Sequence, residues 1–294
     1  MIRGIYAPIS TPFEQGQVSF PRLRGNLERW AATRLAGLVV LGSNGEAVLL
    51  DQVEKESLIG YVREHFPKDR PVIAGTGCES TRETIAFSRR AAGLGADAVL
   101  VITPSFYKGS MTSSALRRFY TEVAEACPVP VMLYNMPRNT GLNLPARVVV
   151  ELAAHPNIVG IKDSGGDIVQ IAEIIAGAPP GFVVFAGSGS FLLATLVLGG
   201  QGGTLALANV AADACAQLQE KFEGGDLAAA RRLQLALIPL NQAVTSRYGV
   251  GGLKAALDLI GYFGGEVRPP LEPVGEAERR EISKLLRDLG LLPA

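Results

Sequence analysis

Short, wholly apolar runs alternate along the chain with longer stretches in which apolar residues recur every three or four positions. The runs cover residues 4–8, 37–41, 72–75, 98–102, 129–134, 158–162, 183–186 and 204–208. Runs this short, bounded by Gly, Pro and Asn, predict strands buried on both faces, as in a parallel sheet. The stretches between them predict helices that begin near Pro21, Asp51, Ser80, Thr112, Leu144, Asp167, Ser190 and Ala211. Asp51 before Glu54 and Ser80 before Glu83 have capping-box spacing. Strand and helix repeat about every 30 residues, the length of a βα unit. Eight consecutive units with apolar strands predict an α/β fold of the closed (β/α)8 TIM barrel type rather than an open doubly wound sheet. The barrel is expected to occupy residues 1–224. Residues 225–294 then form a C-terminal extension of three helices, 226–247, 252–260 and 275–289, packed on the barrel.

One polar residue breaks the apolar pattern. Residues 158–162 end in Lys162, at a place where a lysine is costly unless paired or able to reach water. Desolvation favours a neutral amine, and a neutral amine attacks carbonyls. The bland alternative is a strand-end lysine that snorkels to solvent beside Asp163. A barrel tilts the choice, because its chemistry collects at the C-terminal ends of the strands. Lys162 closes the sixth strand and Tyr134 the fifth, so an amine and a phenol able to pass protons stand on adjacent strands.

Composition narrows the remaining possibilities. Of 294 residues, 48% are hydrophobic and 19% charged, enough apolar content for one large core. Lys+Arg and Asp+Glu each number 28, so no basic excess points to nucleic acid or an anionic membrane. Cys78, Cys127 and Cys215 form no C-x-x-C pair and suit reduced thiols in a cytoplasmic protein. His65 and His155 lack metal-ligand spacing, so no metal site is expected. There is no leader-like N-terminus and no apolar run of membrane-spanning length.

The expected rim carries small donors. Leu41-Gly-Ser43-Asn44-Gly45-Glu46 follows the second strand, and such a turn presents N–H groups and a hydroxyl to an anion, for example a carboxylate. It matches neither dinucleotide nor P-loop spacing. Gly75-Thr-Gly77 and Gly187-Ser188-Gly189 close the third and seventh strands in the same style.

Gly42-Ser-Asn-Gly-Glu46, Tyr134-Asn-Met-Pro137 and Ile161-Lys162-Asp-Ser164 together resemble the dihydrodipicolinate synthase and N-acetylneuraminate lyase family of Schiff-base barrels. The likeness extends over essentially the whole chain, with the motifs in family order and spacing. It implies a class I aldolase or lyase acting on a small 2-oxo acid, with no cofactor beyond the lysine imine. Lys162 would form the imine, Tyr134 would transfer protons, and Ser43 with Asn44 would hold the pyruvyl carboxylate. Ser164, Gly187, Ser188 and Thr204 are the candidates for further substrate contacts, and Asn139 faces the substrate's distal end. The resemblance also implies a homotetramer built as a dimer of dimers.

Within the family, Ser43-Asn44 in place of Thr-Thr, the run Gly75-Thr-Gly-Cys-Glu-Ser80 and Lys162-Asp-Ser-Gly-Gly166-Asp point to cleavage of 4-hydroxy-2-oxoglutarate to pyruvate and glyoxylate. The synthases carry an arginine five residues after the tyrosine, where this chain has Asn139. Arg138 is one position earlier, and a one-residue shift re-aims a guanidinium whose value lies in its geometry. The alternatives are the 4-hydroxy-tetrahydrodipicolinate synthase reaction and an aldolase or dehydratase of 2-oxo-3-deoxy sugar acids. A third alternative is an oxo-acid-binding regulator without catalysis. Its support is Phe106, which stands where the family often has a relay tyrosine from a neighbouring subunit; either the adjacent Tyr107 takes that place as a substrate-site residue or the relay runs through Ser43, Tyr134 and water.

Overall fold

A computed structural model of the chain describes residues 2–293. Eight parallel strands close into a barrel: β1 (Gly4–Pro8), β2 (Gly37–Val40), β3 (Val72–Gly75), β4 (Ala98–Ile102), β5 (Val131–Asn135), β6 (Ile158–Asp163), β7 (Val183–Ala186) and β8 (Gly202–Thr204). Each pairs with its sequence neighbour, and β8 pairs with β1. The surrounding helices are α1 (Phe20–Ala31), α2 (Gln52–His65), α3 (Thr81–Gly93), α4 (Ser113–Ala126), α5 (Ala146–Leu152), α6 (Ile168–Gly177), α7 (Leu192–Val197) and α8 (Ala212–Glu223). The TIM barrel expected from the apolar beat is therefore present.

Strand alternation sorts the core into two layers. Tyr6, Val39, Ile73, Leu100, Met132, Val183 and Phe185 fill the barrel, while the opposite faces pack on the helices. Helix starts follow their caps. Asp51 and Glu54 form the full reciprocal box. Ser80 supplies only half of one, because the Glu83 carboxylate is drawn to Arg90 instead.

Two local expectations change. The eighth strand is Gly202–Thr204, and most of the run 204–208 is a buried 3-10 turn, Ala206–Asn209. A Cβ at Gly202 would lie 2.1 Å from the Gly4 carbonyl, so this seam closes only on glycine. Low strand propensity hid the glycine pair, and the buried turn mimicked a strand. A hairpin, Phe13–Glu14 with Gln17–Val18, also precedes α1. Its two-residue turn uses positive φ at Gln15 and Gly16.

After α8 come α9 (Leu227–Gln242), which continues as a π-helical turn over Ala243–Arg247, then α10 (Gly249–Leu259) and α11 (Glu276–Asp288). Among the described residues no helix is long and apolar enough to cross a membrane.

Candidate active site

β5 and β6 converge on the site. Their register shifts once, at Val131/Met132, so that Val159 is skipped and Tyr134 lies opposite Lys162. Both side chains project into the barrel mouth. Lys162 is only 4% exposed, and its Nζ lies 4.1 Å from the centre of the Tyr134 ring. The snorkelling alternative does not hold. Asp163, one residue on, points to the other face, fully buried. There its carboxylate accepts from Asn135 Nδ2 (2.9 Å), Gln170 Nε2 (3.1 Å) and the Gly165 N–H (2.8 Å). Asn143 bridges Asn135 and Gln170. This amide network fixes the backbone beneath both site residues, and it satisfies a buried carboxylate without a cation.

The Tyr134 hydroxyl lies 3.5 Å from Ser43 Oγ. Burial is the largest single influence on this phenol and pushes its pKa up. The Lys162 charge and the neighbouring Ser43, Lys162 and Ser164 groups together outweigh burial and leave the phenol below its ordinary value. Ser43 and Asn44 lie in a 3-10 turn, Ser43–Gly45, directly after β2. Close packing forces glycine at Gly45, where a Cβ would stand 2.9 Å from the Ile9 carbonyl.

These groups open into a cavity of about 460 Å³. Lys162, Tyr134, Ser43, Asn44, Ser164, Gly187, Ser188, Thr204 and Asn139 all line it, so nine of the ten residues singled out in the sequence share one space. Ser164 Oγ is buried without a hydrogen-bond partner among the described residues and is free to meet a ligand. The Ser188 hydroxyl is already engaged, by Asn241 Nδ2 at 3.0 Å.

Tyr107 does not reach this cavity. It is exposed, edge-on to Phe106 at 5.1 Å, on the loop after β4. That loop is turned away by Glu79, whose carboxylate accepts the Ser105 and Phe106 N–H groups at 2.9 and 2.8 Å. Phe106 is exposed as well, so within one chain it displaces nothing from the site.

Part of the far wall was not anticipated. Asn241, Gln242, Val244, Thr245 and Ser246 of α9 and its π-helical end line the cavity, with Gly249 and Val250 of α10. Arg138, discounted because of its one-residue offset, is also in the wall, and its guanidinium donates to the Ser246 carbonyl at 3.0 Å. The local signal for it was the arginine itself; what aims it is a contact 108 residues away. The two histidines stay structural: His65 stacks on Tyr61 at 4.0 Å, and His155 Nδ1 accepts the Asn157 N–H.

A closed barrel with a buried lysine and a tyrosine on adjacent strand ends defines the Schiff-base class of carbon–carbon lyases. The chain belongs to the dihydrodipicolinate synthetase family, whose model matches residues 1–289. It is 36% identical over 292 residues to the 4-hydroxy-tetrahydrodipicolinate synthase of Geobacter metallireducens, covering 99% of this chain and all of the relative. It is 37% identical over 294 residues to the synthase of the same name from Methanoculleus marisnigri, again covering 99% of this chain and all of that one. Among solved structures, the dihydrodipicolinate synthase of Thermotoga maritima superposes with a TM-score of 0.95 at 30% identity, covering 99% of this chain and 100% of the other. An E. coli K12 prophage protein of the same family, solved in complex with pyruvate, gives 0.92 at 32% identity with the same coverage.

Proposed function

We propose that Lys162 forms an imine with pyruvate and that the cavity joins the resulting enamine to a short aldehyde bearing a carboxylate, the 4-hydroxy-tetrahydrodipicolinate synthase type of reaction. The amine attacks the C2 ketone and water leaves. Loss of a C3 proton gives the enamine, whose C3 attacks the aldehyde carbon. The alkoxide that forms takes its proton from Tyr134, which runs the same step backwards in cleavage. Attack on C2 by the aldehyde substrate's own amine, or by water, then expels the Lys162 amine and frees the enzyme. Ser43 and Asn44 seat the C1 carboxylate, and the free Ser164 hydroxyl supplies a further contact. The imine itself is the electron sink.

The observation that carries the choice of aldehyde is Arg138. A guanidinium in the far wall, held by the Ser246 carbonyl, suits a second carboxylate. Arg138 offers a guanidinium in place of the one missing at Asn139, and the curated relatives carry the synthase name. The second reading, cleavage of 4-hydroxy-2-oxoglutarate, keeps a specific observation of its own: Ser43-Asn44 and Asn139 line the cavity where the synthases have Thr-Thr and Arg.

The two readings share the pyruvate imine and part at the aldehyde. Borohydride reduction in the presence of pyruvate, with peptide mapping, is expected to mark Lys162. Steady-state kcat/KM is then measured for pyruvate with aspartate semialdehyde and for 4-hydroxy-2-oxoglutarate cleavage. A ratio above one supports the synthase reading, and a ratio well below one replaces it with the aldolase. No adduct at Lys162 refutes both.

A further inference from the structure

Glu46 occupies an unfavourable backbone position and a costly side-chain position. It follows the Ser43–Gly45 turn with φ of +56°, a left-handed conformation that disfavours any side chain other than glycine or asparagine. Its carboxylate is fully buried. Oε1 lies 2.6 Å from Nζ of Lys254, an ion contact without hydrogen-bond geometry at that oxygen, and Oε2 accepts the Arg268 N–H at 2.8 Å. Lys254 is itself 2% exposed, donates to the Glu266 carbonyl, and stands 4.4 Å over the Phe13 ring. Around this pair, the Arg268 guanidinium forks onto Glu54 at 2.6 and 2.7 Å and donates to the Leu49 carbonyl at 3.0 Å.

A buried ion pair adds little stability over apolar residues of the same size, so stability alone does not account for it. Its position does. Glu46 is next to the turn carrying Ser43 and Asn44, and Lys254 is on α10, whose first turn contributes Gly249 and Val250 to the cavity wall. The pair thus joins two walls of one cavity from behind.

The geometry points to Glu46 and Lys254 as positioning residues: their buried pair locks the Ser43–Asn44 turn against α10 and so sets the seat of the oxo-acid carboxylate relative to Lys162. This rests on reading Ser43 and Asn44 as that seat. Neither residue touches substrate, so the effect is on how pyruvate is held.

The test uses Glu46→Gln, Lys254→Met and the double variant. Two readouts are taken: the pyruvate concentration that half-saturates the borohydride-trapped adduct, and hydrogen exchange of the amides at 42–50. Each single variant is expected to raise the half-saturating concentration about tenfold or more, equivalent to about 1.4 kcal/mol of lost carboxylate binding. Exchange at 42–50 is expected to accelerate with it. The double variant separates positioning from stability, because it leaves no charge buried alone and is expected to melt near the unaltered chain. A raised half-saturation in that folded variant supports the proposal. A double variant with both melting temperature and half-saturation restored overturns it, and so does unchanged exchange at 42–50. If the singles do not fold, the double alone decides. Absence of any adduct in the unaltered chain instead removes the carboxylate-seat reading, while the exchange data still test the lock.

Discussion

Tyr134→Phe separates chemistry from binding in this site. The substitution keeps the ring, and with it the buried packing in the barrel mouth and the face that Lys162 Nζ approaches at 4.1 Å. Only the hydroxyl goes, with its long 3.5 Å contact to Ser43 and its proximity to the Lys162 and Ser164 groups. The loss of stability should stay below about 1 kcal/mol, the scale of one net hydrogen bond. The adduct trapped at equilibrium with pyruvate should be nearly unchanged, because Lys162 and the Ser43–Asn44 turn remain in place. Turnover is different. A positioned proton donor contributes about 10²- to 10⁴-fold, equivalent to about 3–5 kcal/mol in the barrel's transition state at 1.36 kcal/mol per decade. Steady-state kcat and KM, with adduct yield by mass spectrometry, separate the two. A kcat within threefold of the unaltered chain would take Tyr134 out of the proton path. An equal fall in adduct yield would make it a binding residue.

Three further outcomes follow from the same geometry. Lys162→Met should abolish the borohydride adduct yet leave the melting temperature unchanged or higher, because it removes a 4%-exposed amine whose neighbouring carboxylate, Asp163, is turned to amides; a drop of more than about 5 °C would refute the idea that this amine is kept at a cost to stability. Gly187→Ala should cost about 1–3 kcal/mol in urea denaturation and lose trapping, since its Cβ would lie 1.9 Å from Ser164 Oγ and 2.7 Å from the Asp163 carbonyl; unchanged trapping would mean that Ser164 can move aside without consequence. Glu54 is held below the usual carboxylate range, chiefly by Arg268, so its contribution should be present above the ordinary carboxylate pKa and vanish as pH falls through the depressed one. Glu54→Gln should therefore be less stable at pH 7 and equal to the unaltered chain in strong acid, and a pH-independent difference in melting temperature would refute the assignment.

Much of this was legible in the sequence because two periodicities and a few caps suffice for a barrel of this kind. Buried parallel strands are apolar on both faces, so seven of the eight stood out as uninterrupted runs. The eighth did not, because the closing seam needs Gly202 and Gly203, which look like a turn, while the Ala206–Asn209 turn is apolar enough to look like a strand. Lys162 was legible for the opposite reason: a single charge ending an apolar run demands an explanation. Tyr134 as its neighbour was legible from strand order, but the register was not, since the skipped residue Val159 that brings the two opposite each other leaves no mark in composition or spacing. The direction of the Tyr107 loop was not legible either, because it depends on distant acceptors, in this case Glu79.

The same limit governs specificity. The imine chemistry is written at strand ends, where local pattern and barrel geometry agree on which side chains meet. The distal wall is written by contacts between segments far apart in the chain. Arg138 was discounted on spacing, and spacing is a poor guide where a loop can be re-aimed. Its guanidinium is held in the cavity wall by the Ser246 carbonyl, in the π-helical end of α9. A helical extension that reads as packing in the sequence therefore supplies part of the cavity wall. Two chains with the same lysine, tyrosine and turn can differ in substrate because of a single helical turn more than a hundred residues downstream of the tyrosine. Exchanging residues 243–247 should then shift the preference between aldehydes and leave the pyruvate adduct at Lys162 intact.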